Sequence, residues 1–304
     1  MIIAENISKS FNTTRALERI NLKIESNEIF GLIGPDGAGK TTLFRIITTL
    51  LLPDTGNMTV MGHNTVTDYR PLRSRIGYMP GRFSLYQDLS VEENLNFYAT
   101  VFGTTVKKNY HLIKDIYSHI EPFKSRPAGK LSGGMKQKLA LSCALIHAPE
   151  LIVLDEPTTG VDAVSRTEFW EMLKTLQKEG ITILVSTPYM DEATLCDRVA
   201  LIQKGRLLDT EKPGNIINHF KKKLYAISSR DKYRLIQDLR AFSTVDKVNP
   251  FGDAIHITFK ENRYDEYLQE YLQEKGHNEP GIREIEPGIE DVFLELMTRE
   301  ENDE

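Results

Sequence analysis

The chain has 304 residues, 40% of them apolar and 27% charged, with a net charge of −5. That apolar content can fill two cores, and the mildly acidic balance argues against a nucleic-acid binder with a broad basic face. The two cysteines, Cys143 and Cys196, sit in apolar stretches and read as buried free thiols in a reducing compartment, not as a disulfide framework.

The N-terminal run Met1-Ile2-Ile3-Ala4-Glu5-Asn6 has no basic region and no long apolar core, so it does not read as a signal peptide. No apolar run approaches the roughly 20 residues that span a bilayer. The longest candidate, Ile46 to Leu52, carries two threonines and ends at Pro53. The expectation is a soluble protein that meets a membrane only through a partner.

Residues 2–24 alternate as strands around a Ser-Phe-Asn-Thr-Thr turn. Glu28 to Ile33 is a short apolar strand, followed by a loop and a helix over Lys40 to Leu50. From Val91 to Ser118 the pattern is helical, with Leu95, Tyr98 and Phe102 spaced to share a face. Leu151 to Leu154 and Ile181 to Val185 are continuous apolar runs, as in parallel strands covered on both faces. These elements predict an α/β domain with a helical insertion.

Asp209 to Asn215 turns polar and carries Pro213-Gly214, which marks a domain boundary. Beyond it the pattern predicts a strand at Leu224 to Ser228, a helix at Asp231 to Phe242 and a strand at Ala254 to Phe259. A helix at Tyr264 to Lys275, a strand at Ile282 to Ile285 and a helix at Ile289 to Met297 complete it. The repeated strand–helix–strand order suggests a small ferredoxin-like α+β unit. Arg299 to Glu304 is mostly acidic and is expected to fray.

Three motifs carry chemistry. Gly34-Pro35-Asp36-Gly37-Ala38-Gly39-Lys40-Thr41, with Thr42 next, fits G-x-x-x-x-G-K-[ST] between a strand and a helix. The glycines let backbone N–H groups close on phosphates, Lys40 would reach the β- and γ-phosphates of ATP, and the Thr41 hydroxyl would ligate Mg²⁺. Leu151-Ile152-Val153-Leu154-Asp155-Glu156-Pro157 puts two acids at the carboxyl edge of a sheet. Asp155 would hold Mg²⁺ through water, and Glu156 would act as general base. Leu131-Ser132-Gly133-Gly134-Met135-Lys136-Gln137 is a turn without bulk leading into a helix whose first N–H groups can face an anion. A chain with one phosphate cradle has no need of a second, so this one suits a nucleotide held by another chain.

Together these motifs resemble the ATP-binding cassette (ABC) family, the motor subunits of ABC transporters, up to the boundary near Asp209. The resemblance implies a P-loop cassette with a RecA-like core and antiparallel β and helical subdomains. The ABC ATP-binding domain would cover 1–214, with its helical subdomain at about 82–145, and 215–304 would be a C-terminal accessory domain. It also implies that Phe11 stacks on adenine, that Gly160-Val161-Asp162 runs along a dimer interface, and that Ser132, Gly133 and Gly134 contact the γ-phosphate across the dimer. Ser132 would double as a helix N-cap.

Two positions depart from the family. After Tyr78-Met79-Pro80 the family has a glutamine at Mg²⁺ or the lytic water, and here stands Gly81, with Gln87 too distant to replace it. After Ser186-Thr187 it has a histidine bound to the γ-phosphate, and here stands Pro188, which has no donor. One lost donor of this kind costs on the order of 10²–10³ in rate, so the chain's own site is expected to bind ATP but to turn over slowly.

Glu286-Pro287-Gly288-Ile289-Glu290-Asp291-Val292-Phe293 and Ser186 to Ala193 are similar to ATPases of ABC-2 type exporters, including drug exporters. Alternatively, Phe293 and Leu296 simply anchor the last helix on its sheet. The implied function is ATP binding and hydrolysis that energise such an exporter. Its partners would be membrane permease subunits and a second, identical or different, ABC ATPase, with no nucleic acid, at the cytoplasmic face of the membrane. The alternatives are a regulatory ATP-binding module with little turnover and a soluble non-transport ABC protein.

Overall fold

A computed structural model describes residues 1–277 and 280–303, with side chains described through residue 298. The chain divides into two compact units, residues 1–214 and 215–304.

In the first unit, β1 (Ile2–Phe11) and β2 (Thr14–Ile24) form an antiparallel hairpin. Ile2, Ala4 and Ile7 on one strand and Leu17, Ile20, Leu22 and Ile24 on the other are buried, as expected of a sheet with one face on a core. Next come β3 (Ile29–Ile33), α1 (Lys40–Ile47), β4 (Thr55–Val60), β5 (His63–Asn64), α2 (Tyr69–Arg73) and β6 (Ile76–Met79). Helix α1 stops short of the expected Leu50 because Thr48 caps it and Thr49 turns left-handed at φ 63°.

Helices α3 (Val91–Val101), α4 (Val106–Tyr117) and α5 (Gly133–Leu145) follow. The predicted continuous helical stretch from Val91 breaks at residues 102–105. Gly103 takes φ 66°, and the Thr105 side chain accepts from Lys108 N to start α4. Phe102 therefore lies just past α3, where its ring stacks on His147 at 3.8 Å. The unit continues with β7 (Leu151–Asp155), α6 (Ala163–Lys178), β8 (Thr182–Thr187), β9 (Arg198–Gln203) and β10 (Arg206–Glu211). The polar run Asp209 to Asn215, read as a boundary, is strand until Glu211, and Pro213 opens α7 (Pro213–Asn218).

Two sheets result, one antiparallel in the order β2-β1-β4-β5 and one in the order β10-β9-β3-β8-β7-β6. In the second, β3 is flanked by the parallel strands β8 and β9, β8 by β7 and β7 by β6, while β10 pairs antiparallel at the edge. Every residue of β3, β7 and β8 is buried, which explains their unbroken apolar runs. Leu43, Phe44, Ile46 and Ile47 of α1 share one core with residues of both sheets.

The second unit contains β11 (Leu224–Ser228), α8 (Lys232–Ala241), β12 (Val245–Phe251), β13 (Ala254–Phe259), α9 (Tyr267–Glu274), β14 (Gly281–Ile285) and α10 (Ile289–Asp303). The sheet order β12-β13-β11-β14, antiparallel throughout, with two helices in a β-α-β-β-α-β chain order, is ferredoxin-like. Strand β12 has no counterpart in the sequence reading. It contains Pro250, and its place at the sheet edge is where a strand tolerates proline. Ile255, Ile257 and Phe259 pack with Leu235, Leu239, Leu268 and Leu272. The backbone of α10 continues to Asp303, and the side chains on which the expected fraying of 299–304 falls lie outside the described residues.

Both cysteines are buried and free. Among the described residues no helix is long and apolar enough to cross a membrane. Helix α5 approaches β6 so closely that a Cβ on Gly77 would lie 2.4 Å from the Ala144 carbonyl oxygen. Gly77→Ala is therefore expected to destabilise the first unit by about 1–3 kcal/mol, read from denaturant unfolding, because backbone on both sides must move.

Candidate functional site

The loop between β3 and α1 is braced from behind. A Cβ on Gly34 would stand 2.2 Å from the Ile202 carbonyl oxygen, and one on Gly39 would stand 2.5 Å from that of Ala16. Gly39 also holds φ 110° at the cap of α1, a conformation closed to side chains. No side chain caps α1, so its first N–H groups are open toward the loop mouth. Asp36 and Gly37 are exposed, whereas Ala38 is buried and its carbonyl accepts from Gly205 N at 2.9 Å. Pro35, Thr41 and Thr42 are partly buried.

Lys40 is 3% exposed and points back into the loop. Its Nζ donates to the carbonyls of Gly34 at 2.7 Å and Pro35 at 2.9 Å, and lies 3.1 Å from Glu156 Oε1. Lys40 and Glu156 come from distant parts of the chain, and the strand order brings them together.

Asp155 is buried and sits opposite Ser186 in the β7–β8 ladder. Its Oδ2 accepts from Thr41 Oγ1 at 2.8 Å and its Oδ1 from Ser186 Oγ at 2.7 Å. Ser186 is also the partner of Glu156, whose N–H donates to Ser186 Oγ at 3.0 Å and to Ser186 O at 3.1 Å. Glu156 itself takes a left-handed φ of 51°. The Thr41 hydroxyl and the Asp155 carboxylate form an all-oxygen set that fits a hard divalent cation bridging to phosphates. Among the described residues no group of three or more His, Cys, Asp or Glu could hold a metal ion.

Ser132, Gly133 and Gly134 form a second group with Asp162. Ser132 Oγ caps α5 by accepting from Met135 N at 3.4 Å. A Cβ on Gly133 would lie 3.5 Å from Gly160 O, and one on Gly134 would collide with Ser165 Oγ at 2.7 Å. Asp162 caps α6 by accepting from Ser165 N at 3.0 Å, and that N–H holds its carboxyl below the usual range. Phe11 is 46% exposed at the β1–β2 turn, with Lys9 Nζ 5.7 Å from its ring centre, which excludes a core aromatic.

A family model described as ABC transporter matches residues 17–159. The chain is 37% identical over 287 residues to a protein of Escherichia coli (strain K12) named "Probable multidrug ABC transporter ATP-binding protein YbhF", covering 93% of this chain and 49% of that protein. It thus spans about half the length of this relative. The "Nod factor export ATP-binding protein I" of Rhizobium sp. (strain N33) is 34% identical over 298 residues, covering 97% of this chain and 96% of the relative. The chain belongs to the ABC transporter ATPase family.

Solved ABC cassettes have the same fold. The dimeric, post-hydrolysis cassette MJ0796 bound to ADP and Pi matches with a TM-score of 0.63 at 25% identity, over 70% of this chain and 98% of that one. CbiO1 from Clostridium perfringens matches with 0.64 at 25% identity, over 80% and 95%.

Against that family the two departures take on geometry. Gly81 is exposed, and a Cβ there would point at Asp155, 3.0 Å from its carbonyl oxygen and 3.9 Å from its carboxyl carbon. A cavity of about 300 Å³ runs beside it, lined by Gly81, Phe83, Tyr98, Phe102, His147 and Glu156 among others. Tyr78, on the same wall, has its phenol pushed up to about 12 by burial and by the Asp155 charge. Gln87 lies elsewhere: its backbone carbonyl accepts from Gly129 N at 2.9 Å and its Oε1 would be 3.5 Å from a Cβ on Gly129, close in sequence to the Leu131–Gln137 run, the signature turn. Pro188 follows β8, where the next N–H, of Tyr189, donates to Thr187 Oγ1 at 3.0 Å.

Ser186 had no role in the motif reading, although hydroxyls at the end of an apolar strand, at Ser186 and Thr187, are a signal. Ser186→Ala would leave Asp155 Oδ1 without its donor and remove one acceptor from Glu156 N. The expected outcome is a loss of about 1–3 kcal/mol in stability, read from denaturant unfolding, together with weaker Mg²⁺-dependent nucleotide affinity, read by titration with a fluorescent ATP analogue.

Proposed function

We propose that this chain is the ATP-binding and ATP-hydrolysing subunit of an ABC-2 type exporter; the relatives named for multidrug transport and Nod factor export support the exporter part of that reading. Residues 1–214 act as the cassette, with 82–145 as its helical subdomain, and 215–304 as an accessory domain. The observation that carries the reading is the junction of Lys40, Thr41, Asp155 and Glu156 at one strand edge.

In this reading the Gly34–Thr42 loop wraps the phosphates and Phe11 stacks on the adenine. Thr41 and Asp155 would hold Mg²⁺, which would supply positive charge to offset that of the phosphates. Glu156 accepts a proton from the attacking water. Two cassettes close on the nucleotides, and Ser132, Gly133, Gly134 and Asp162 face the partner's site. Permease subunits dock on the Gly81 loop and the helical region after it and bring the subunit to the inner face of the membrane.

Gly81 and Pro188 remove two polar side chains from this chain's own site, so turnover there is slow. In a pair with a different, complete cassette, the intact signature of this chain serves the partner's nucleotide. The same two residues favour a second reading, a regulatory module that closes on ATP with little turnover.

Pro188→His restores a donor toward the γ-phosphate and is expected to raise kcat by about tenfold or more, while adding Glu156→Gln abolishes turnover and leaves ATP binding. Steady-state phosphate release and equilibrium binding on the purified chain check both. Fast wild-type turnover that depends on Glu156 would sink the slow-site reading, and loss of ATP binding in Lys40→Ala without any turnover in Pro188→His would favour the regulatory one.

A further inference from the structure

Glu192 lies in a 3₁₀ turn (Met190–Leu195) just after Pro188, and its side chain is 2% exposed. Its Oε1 accepts from Arg166 Nε at 3.1 Å and lies 2.9 Å from Nη2, and its Oε2 accepts from Thr158 Oγ1 at 3.1 Å. A carboxylate so buried persists only when paired. The Arg166 guanidinium also meets Asp191 Oδ2 at 3.3 Å and lies 4.4 Å from the centre of the Tyr189 ring.

These contacts join three functional segments. Thr158, itself buried, stands two residues after Glu156, and Tyr189 is the residue after Pro188. Arg166 lies in the first turns of α6, next to Ser165, whose hydroxyl occupies the space over Gly134 of the signature turn. With proline at 188, the loop after β8 has no side-chain donor there for phosphate, so protein contacts set its position.

We infer that Arg166 is a positioning residue for hydrolysis: through Glu192, Thr158 and Tyr189 it fixes the loops on both sides of the general base, and through α6 it braces the signature turn. The inference rests on the ATPase reading given above. The phosphate loop is braced by Ala16, Ile202 and Gly205 instead, so nucleotide affinity and turnover separate.

The test compares Arg166→Ala, Arg166→Lys and the double variant Arg166→Met/Glu192→Leu in the full chain, by thermal midpoint, ATP binding and steady-state ATPase. Arg166→Ala should lower kcat by about tenfold or more with KM within about twofold, as misplaced catalytic groups do. Arg166→Lys keeps the charge but loses the planar fork and the ring stack, so it should recover only part of kcat. The double variant replaces the ion pair with apolar groups and should regain the thermal midpoint while kcat stays low. Wild-type kcat in Arg166→Ala, or joint recovery of midpoint and kcat in the double variant, overturns the inference. If wild-type turnover is below detection, the readout is the ATP-dependent dimer of the Glu156→Gln chain. Arg166→Ala should weaken that dimer, and an unchanged dimer overturns the inference. A wild type and a Glu156→Gln chain that both fail to bind ATP would instead overturn the ATPase reading, and this inference with it.

Discussion

The parallel pairing of β7 with β8 is the constraint on which the site depends. It sets Asp155 opposite Ser186, and Ser186 then serves both acids, donating to one carboxylate and accepting from the other residue's N–H. Because Glu156 N is bound at the strand end, the chain leaves the sheet through a left-handed residue, which carries the Glu156 carboxylate to Lys40. The remaining pieces are consequences of strand order: β3 lies next to β8, so the loop that follows β3 opens beside both acids.

Much of this was legible in the sequence because it rests on strong local signals. Unbroken apolar runs mark strands covered on both faces, and small residues at fixed spacing mark the loop. What escaped reading was set by tertiary contact. The glycines at 34 and 39 answer to neighbouring carbonyls of Ile202 and Ala16 as well as to any phosphate, and no local pattern reveals that. Ser186 matters through its register with Asp155, which exists only once β7 and β8 pair. The break after α3 came from Gly103 and Thr105, a stop and a start that an apolar periodicity bridges without notice. Strand β12 was hidden by Pro250, a residue that an interior strand rejects and an edge strand accepts.

The C-terminal unit shows how a family-like motif can have a local physical basis. Asp291, inside the segment Glu286 to Phe293, accepts from Gly288 N with Oδ2 at 2.8 Å and meets His256 Nδ1 with Oδ1 at 2.8 Å. Of the two residues in the anchoring alternative, Phe293 is buried and Leu296 partly so. The segment starts α10 and ties it to β13, work that folding alone would demand. It therefore carries less functional information than the phosphate loop, where Lys40 is buried against two carbonyls and a carboxylate that any nucleotide must displace or share.

That burial has an electrical consequence. Lys40 and Glu156 neutralise each other across 3.1 Å, so the ammonium that the loop would offer to a phosphate is already shared with a carboxylate. A polyphosphate bound in the loop would compete for that ammonium group, and the Glu156 carboxylate would then face an anion with less of its counter-ion. On the proposed reading, arming the base and loading the nucleotide would be one event, timed by a single shared cation.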